Sequence, residues 1–432
     1  MNKFISVVEK YLVPVASKFA GQKHLMSIKD AFIAMLPLTL TGSFAVLFSV
    51  LLSDIPTAFN GNEVTAFTEF MQPVLDIMGN ISAGTLSLMA LVFAFSYAYN
   101  LAQHSNVDAL PAGIIGIAIF MVTVPTKMMV EGLEEPITAL SFDYLSAGGL
   151  FTSIIFITVF VAIYCLLAKN NVTIKMPDTV PPAVSKAFAA VIPGVVAVFG
   201  SAITSYIVYS LAGMPVSDLI AQVIQTPLMQ LSQGLPAVII VTLVTQILWF
   251  FGLHGLLVLG PVYETIWGTA LIQNMQDVSV GLEPTYLWVR GSFDIYGMMG
   301  GAGGTLGLLA AMFIVGKRKD TREIAKIGIG PGLFNINEPL IFGMPIVLNP
   351  IYLIPWIVVP CITLTIGYLA TIMGFAGPVI ATVPWVTPGI LSAFLSTGGS
   401  IGATLVAALC LVITVVAWIP FVILNERNTL KD

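Results

Sequence analysis

The chain has 432 residues, of which 57% are hydrophobic and only 9% charged, with a formal net charge of −5. Soluble domains carry about 25% charged residues, so a mean hydropathy of +0.96 excludes an ordinary soluble globule and points to a polytopic membrane protein. Apolar stretches of roughly twenty residues separated by short polar links are the signature of membrane helices, not of a β-barrel. No polar segment is long enough for a folded soluble domain, and no basic surface asks for a nucleic acid.

The first thirty residues hold Lys3, Glu9, Lys10, Lys18, Lys23, Lys29 and Asp30, which interrupt any signal-peptide core. Phe4, Val7, Val8, Tyr11, Leu12 and Val15 recur at helical spacing, so residues 1–30 read as an amphipathic helix on the cytoplasmic face. Membrane spans follow at about 31–53, 77–100, 110–127, 148–168, 187–212 and 236–260. Ser217 to Leu231 is too short and polar to cross, and reads as an amphipathic linker. Beyond it the pattern gives 295–316, a Gly/Pro-rich region at 328–348, then 350–373, 375–398 and 400–424. The expected architecture is all-α, with about ten transmembrane helices and re-entrant hairpins near Asn335 to Pro339 and Thr382 to Gly399. The chain divides at 1–30, 31–212, 213–235, 236–424 and 425–432.

Orientation follows from where Lys and Arg lie. Basic residues gather at the N-terminus, at Lys169, Lys175 and Lys186, and in Gly316 to Lys326; Asp54 to Asp76 has none, and the 131–143 link is acidic. Both termini are therefore placed in the cytoplasm. Cys165, Cys361 and Cys410 are scattered in apolar runs, so neither a disulfide framework nor a metal site is indicated, and no cofactor motif is present.

Four clusters carry chemistry. In Phe334-Asn335-Ile336-Asn337-Glu338-Pro339 an ionisable group lies where a span is expected, a position that costs about 2.5–3.5 kcal/mol for Asp on the insertion scale and persists for function. Pro339 disfavours helix at Glu338, so the backbone there should be broken and line a wet cavity. In Leu248-Trp249-Phe250-Phe251-Gly252-Leu253-His254-Gly255 one histidine lies deep in an apolar helix, either as a core histidine or as a site residue. His24 and His104 lie near span ends and read as interfacial. Arg290, beside Tyr286 and Trp288, either clamps a hydroxyl, pairs with an acid such as Glu338, or snorkels at an aromatic belt. Gly297 to Gly307 holds six glycines without the Lys-Ser/Thr of a phosphate loop, and reads as close helix packing. Acid, amide and imidazole groups with aromatic faces suit a sugar. Glu338, Asn337, His254, Trp249 and Trp385 supply that chemistry, with Arg290 as a further candidate.

Met1-Asn-Lys-Phe with Tyr11 to Pro14, Phe32-Ile-Ala-Met-Leu-Pro37, Gly252-Leu-His254-Gly255 and Asn335-Ile-Asn337-Glu338-Pro339 together resemble the membrane component (EIIC) of the bacterial phosphotransferase system, in its lactose/N,N′-diacetylchitobiose/cellobiose family. The resemblance runs nearly end to end. It implies ten transmembrane helices, re-entrant hairpins and a homodimer formed mainly by the N-terminal helices, so that 31–212 is a scaffold and 236–424 the transport domain. It implies an intramembrane disaccharide site in which Glu338 and His254 face the sugar's 6-hydroxyl, with Asn337 beside them; Trp249, Arg290 and Trp385 are added on chemistry and position. It also implies an elevator-type shift that presents the 6-hydroxyl to the phosphocysteine of a cytosolic IIB protein, itself supplied by IIA, HPr and EI. Lactose members often carry IIB fused at the C-terminus, whereas no IIB-type Cys follows the last span here, which favours a separate IIB and the cellobiose/diacetylchitobiose branch. A proton-coupled symporter releasing unmodified sugar is the competing reading. An enzyme acting on lipid-linked sugars would want a metal cluster or paired acids, and a structural or receptor role leaves a buried Glu and His unexplained.

Overall fold

A computed structural model describes residues 21–428 except 55, 58–59, 61–62, 129–134, 178 and 345. The amphipathic helix expected over 1–30 therefore lies mostly outside the described residues, as do part of the acidic 131–143 link and the last residues of the tail. Among the described residues, eight helices are long and apolar enough to cross a membrane, and nine if the bent pair Val216–Ser232 and Leu235–Phe250 counts as one span. Ala109–Met121 is a shorter apolar helix. The fold is all-α apart from a small antiparallel ribbon pairing Lys127–Met128 with Ile137–Thr138.

The N-terminal half packs through small residues. Met89–His104 buries Phe93, Ala94, Tyr97, Ala98, Leu101 and Ala102 completely. Ala109–Met121 lies against it with Gly116 so close to Ala98 that a Cβ would have no room. Between membrane helices no apolar driving force favours protein over lipid, so backbones gain by approaching closely where side chains are small. Helix Lys23–Ala34 begins at Gln22, whose side chain accepts the Leu25 N–H at 2.7 Å. One continuous apolar core then runs from Ile28 through to Cys410, so the two halves of the chain share it. A second core, centred on Trp356, Trp418 and Tyr352, lies within the C-terminal half.

Two expected spans differ. The stretch 236–260 is not one helix: Leu235–Phe250 ends at a turn with Gly252 at φ +79°, and a new helix starts at Gly255. That helix continues to Ser279 through a widened turn at Glu264–Gly268, giving a span beyond residue 260 that hydropathy alone had not separated. The stretch 375–398 does not form a spanning helix either. Gly374 at φ +72° is followed by Pro378, Pro384 and Pro388, each without a backbone donor, and only Gly389–Ser396 is helical. Ser217 to Leu231 is largely helical, within Val216–Ser232, and meets Leu235–Phe250 at 78°.

The non-helical segments are held by side chains. Gln233 exchanges two 2.9 Å hydrogen bonds with the backbone of Trp288, and Tyr368 donates to the Gln233 carbonyl at 2.8 Å. Asn274 does the same for Tyr286, accepting at 2.8 Å and donating at 2.7 Å, and Asp277 accepts the Thr285 N–H at 2.9 Å. Together they satisfy the extended chain leading into helix Arg290–Gly297.

The glycine run is a turn as well as a packing surface. Gly300, Gly301, Gly303 and Gly304 all have positive φ, which puts a turn inside the span Arg290–Val315 that covers the expected 295–316, while Gly297 and Gly307 admit Leu364 and Thr414. At Gly303, φ +75°, a Cβ would stand 2.5 Å from the Trp356 ring. Gly303→Ala should therefore combine a left-handed backbone cost of about 1–2 kcal/mol with displacement of Trp356. The expected outcome is a Tm in detergent several degrees below wild type; an unchanged Tm would contradict this account of the turn.

Candidate functional site

Two broken helices and two extended segments meet at one cavity of about 440 Å³. The break at 251–254 places His254 as the cap of helix Gly255–Tyr263, correcting its expected position inside a helix. Its Nδ1 accepts the Leu257 N–H at 3.1 Å. In a neutral imidazole one nitrogen accepts and the other donates, so Nε2 carries the proton and offers a donor. Gly255 follows because any Cβ there would strike the Thr245 carbonyl. Trp249 lies against the His254 ring, centroids 4.2 Å apart at 45°, and its buried indole N–H has no partner among the described residues. An unmatched buried donor costs about 1–3 kcal/mol, and here it belongs to a cavity wall where a ligand oxygen would relieve it.

The Asn-Glu-Pro segment is built on a second break. Helix Lys319–Leu333 ends, Asn335 turns the chain at φ +63°, and helix Glu338–Gly343 starts with Pro339 in its first turn. The break thus falls one step before Glu338, which opens the short helix, since Pro suits a first turn whose N–H groups have no intrahelical acceptor. Asn335 accepts the Gly300 N–H at 2.8 Å and donates to the carbonyls of Trp385 at 2.6 Å and Thr387 at 3.0 Å. Asn337, buried, donates to the Ala302 carbonyl at 3.1 Å. A Cβ on Gly301 would lie 2.6 Å from the Asn337 side chain, so glycine is what lets the two turns meet. The Glu338 side chain makes no hydrogen bond to another described residue, and it lines the same cavity as His254.

Arg290 is committed elsewhere than to Glu338. Its Nε lies 3.1 Å from Glu264 Oε1 and its Nη1 2.9 Å from both Asp294 oxygens, and the guanidinium sits 5.3 Å from the Tyr263 ring centroid. With a side chain 19% exposed it is a wall residue, not a snorkelling one, and the expected pairing with Glu338 is replaced by the Glu264–Arg290–Asp294 cluster. Arginine's planar fork suits two carboxylates at once.

All six residues singled out from the sequence, Trp249, His254, Arg290, Asn337, Glu338 and Trp385, line this cavity. Trp385 is 60% exposed, so its ring is available to a ligand face. Lys29, Glu264, Asp294 and Asn335 line it too and were not anticipated. Glu264 carried the same signal as Glu338, an acid in an apolar run, and Asp294 stands at i+4 from Arg290, the spacing of a helical ion pair. A volume of this size falls within the range of small-molecule sites. By contrast, a groove of about 370 Å³ between Leu235–Phe250 and Pro350–Ile372 is almost wholly apolar and offers no set of hydroxyl partners. No group of His, Cys, Asp and Glu among the described residues could hold a metal ion.

Asn335 joins three segments, so Asn335→Ala should remove three hydrogen bonds worth about 0.5–1.5 kcal/mol each and free the non-helical chain around Trp385. The expected result is a lower Tm and faster proteolysis within 382–388. Asn335→Asp, which loses both donors, should not rescue it. Wild-type Tm in either variant would remove Asn335 from this role.

With this geometry in view, comparison with known proteins is direct. The family model "Phosphotransferase system, EIIC" matches residues 29–360. The chain is 38% identical to the cellobiose-specific EIIC component of Lactococcus lactis subsp. lactis (strain IL1403), over 99% of each chain. It is 34% identical to the lichenan permease IIC component of Bacillus subtilis (strain 168), over 100% of this chain and 96% of that one. It superposes on the crystal structure of ChbC, the IIC component of an N,N′-diacetylchitobiose-specific phosphotransferase system, with a TM-score of 0.90, 31% identity and 98% coverage of both chains. The chain therefore belongs to the EIIC family of phosphotransferase-system sugar permeases, as a multi-pass membrane transporter of the cellobiose/chitobiose type.

Proposed function

We propose that this permease imports a disaccharide, cellobiose or N,N′-diacetylchitobiose, and presents its 6-hydroxyl for phosphorylation by a separate phospho-IIB protein fed by IIA, HPr and EI. The observation that carries this reading is the convergence of an unpaired carboxylate, Glu338, and a donor nitrogen of His254 on one cavity with Trp249 and Trp385. Indole faces accept the apolar faces of pyranose rings, while Glu338 accepts the 6-hydroxyl proton and His254 Nε2 orients the oxygen. Two relatives named for cellobiose, at 38% and 33% identity, and the N,N′-diacetylchitobiose-specific structure support a disaccharide.

The cavity walls include Lys29, Ile33 and Leu36 from the N-terminal half, against residues of the C-terminal half. Such a site suits an elevator in which 236–424 moves against 31–212, with a homodimer built on the latter and both termini in the cytoplasm. The proton-coupled symporter uses the same polar groups but gains nothing from family membership.

Sugar phosphorylation by membranes holding this chain, with phosphoenolpyruvate, EI, HPr, IIA and candidate IIB proteins, tests the reading. A positioned acid–base group contributes about 10²–10⁴-fold, so Glu338→Gln should lower phosphorylation by that factor while changing sugar affinity less than about tenfold. Equal loss of binding and turnover would make Glu338 a binding residue only. Sugar that enters vesicles but is never phosphorylated would favour the symporter. Arg290→Lys keeps the charge and loses the fork; it should reduce sugar affinity and leave the Glu338 dependence intact, whereas wild-type affinity would show that the fork has no part in sugar binding.

A further inference from the structure

The charges around the cavity are unevenly committed. Glu264, Asp294 and Glu338 are acidic, and the Arg290 guanidinium is held by the first two at 2.9–3.1 Å. Among the described residues lining the cavity, the remaining cation is Lys29, whose Nζ lies 3.1 Å from Asp30 Oδ1. Asp30 does not line the cavity, and its other oxygen is engaged 2.8 Å from His104 Nε2. Lys29 is thus tethered by a carboxylate shared with a second residue, not enclosed by a pair of its own.

Lys29 also lines the cavity from the far side of a close helix contact. Its stem passes Gly260 of the helix that His254 caps, where an added Cβ would stand 3.3 Å from Lys29 Cγ. Lys29 belongs to helix Lys23–Ala34, in the N-terminal half, whereas Glu338 and His254 belong to the C-terminal half. Lys29 therefore shares one cavity with the acid and the imidazole only when the halves stand as they do here. Its helix follows the basic N-terminal stretch, the end from which a cytoplasmic phosphoryl donor would arrive.

We propose that Lys29 is a catalytic residue of phosphoryl transfer, neutralising the phosphoryl group as it passes from the donor's cysteine to the sugar. This rests on the group-translocation reading above. The sugar O6 forms a bond to phosphorus, the S–P bond of the phosphocysteine breaks, the thiolate leaves with the electron pair, and the 6-hydroxyl proton goes to the Glu338 carboxylate. The incoming phosphoryl oxygens bring negative charge into a cavity that already holds three carboxylates. Phosphoryl transfer is accelerated chiefly by positioning and by fixed positive charge on the transferring group, and Arg290 is already occupied. Lysine suits this task as a compact, mobile point charge.

Two measurements on the full-length protein test it. Purified wild type, Lys29→Gln and Lys29→Arg are titrated with the free disaccharide and with its 6-phosphate, and the same variants in membranes are assayed for phosphorylation with the separate donor. Lys29→Gln should bind the free sugar within about threefold of wild type, yet lose at least about tenfold in affinity for the 6-phosphate and in phosphorylation rate; Lys29→Arg should recover most of both. Parallel loss of free-sugar binding, or unchanged phosphorylation with an active wild type, would overturn the role of Lys29 alone. A wild type that phosphorylates no disaccharide with any donor would overturn the group-translocation reading, and this role with it.

Discussion

Every backbone N–H and C=O in the low-dielectric body of this protein needs a partner, and around the cavity the helices that would supply one are broken. An amide left unpaired in such surroundings costs several kcal/mol. The turn at 251–254, the extended chain at 283–289, the glycine turn at 298–304 and the non-helical chain at 375–388 are therefore completed by side chains. Gln233 and Asn274 serve the second segment, while Asn335 ties the third and fourth to the Asn-Glu-Pro turn and Asn337 braces the third. Carboxamides are suited to this work because each offers a donor and an acceptor on one planar group. The cavity is what remains between segments held in this way.

That construction divides the polar residues into two kinds. Asn335, Asn337 and Arg290 spend hydrogen-bonding capacity on the protein itself and give the walls a fixed shape. Glu338, His254 Nε2 and the Trp249 indole N–H line the same cavity with no side-chain hydrogen bond to another described residue. Recognition of a hydroxylated ligand needs both: unpaired groups to bind it, and a frame rigid enough that those groups do not bind one another. The Glu264–Arg290–Asp294 cluster contributes to the frame by holding a guanidinium in the cavity wall, paired with two carboxylates other than Glu338.

Close packing extends the same frame. Gly301 admits Asn337, Gly303 admits Trp356 and Gly260 admits the stem of Lys29, so three glycines set how nearly the turn, the second core and the N-terminal helix approach the site. The shared core from Ile28 to Cys410 joins the two halves in this arrangement, and any transport movement must exchange those contacts for others.

Much of this was legible in the chain. Hydropathy gave a helical membrane protein, and Pro339 after Glu338 marked a break in the chain, because a proline has no backbone donor to continue a helix. The six residues named from sequence do line one cavity. Periodicity failed at 236–260 and 375–398, where apolar content stayed high while the backbone left the helix: hydropathy measures preference for lipid, not hydrogen-bond continuity. It could not give Arg290 its partners either, since the pairing with Glu264 depends on which faces of separate helices meet. Lys29 read as one more basic residue before the first span, and only folding carried it past Gly260 to the cavity. Composition and local order decided which residues bear charge and where helices must break; the tertiary structure decided which charges neutralise each other and which remain open, because that balance is set by distances between residues far apart in sequence.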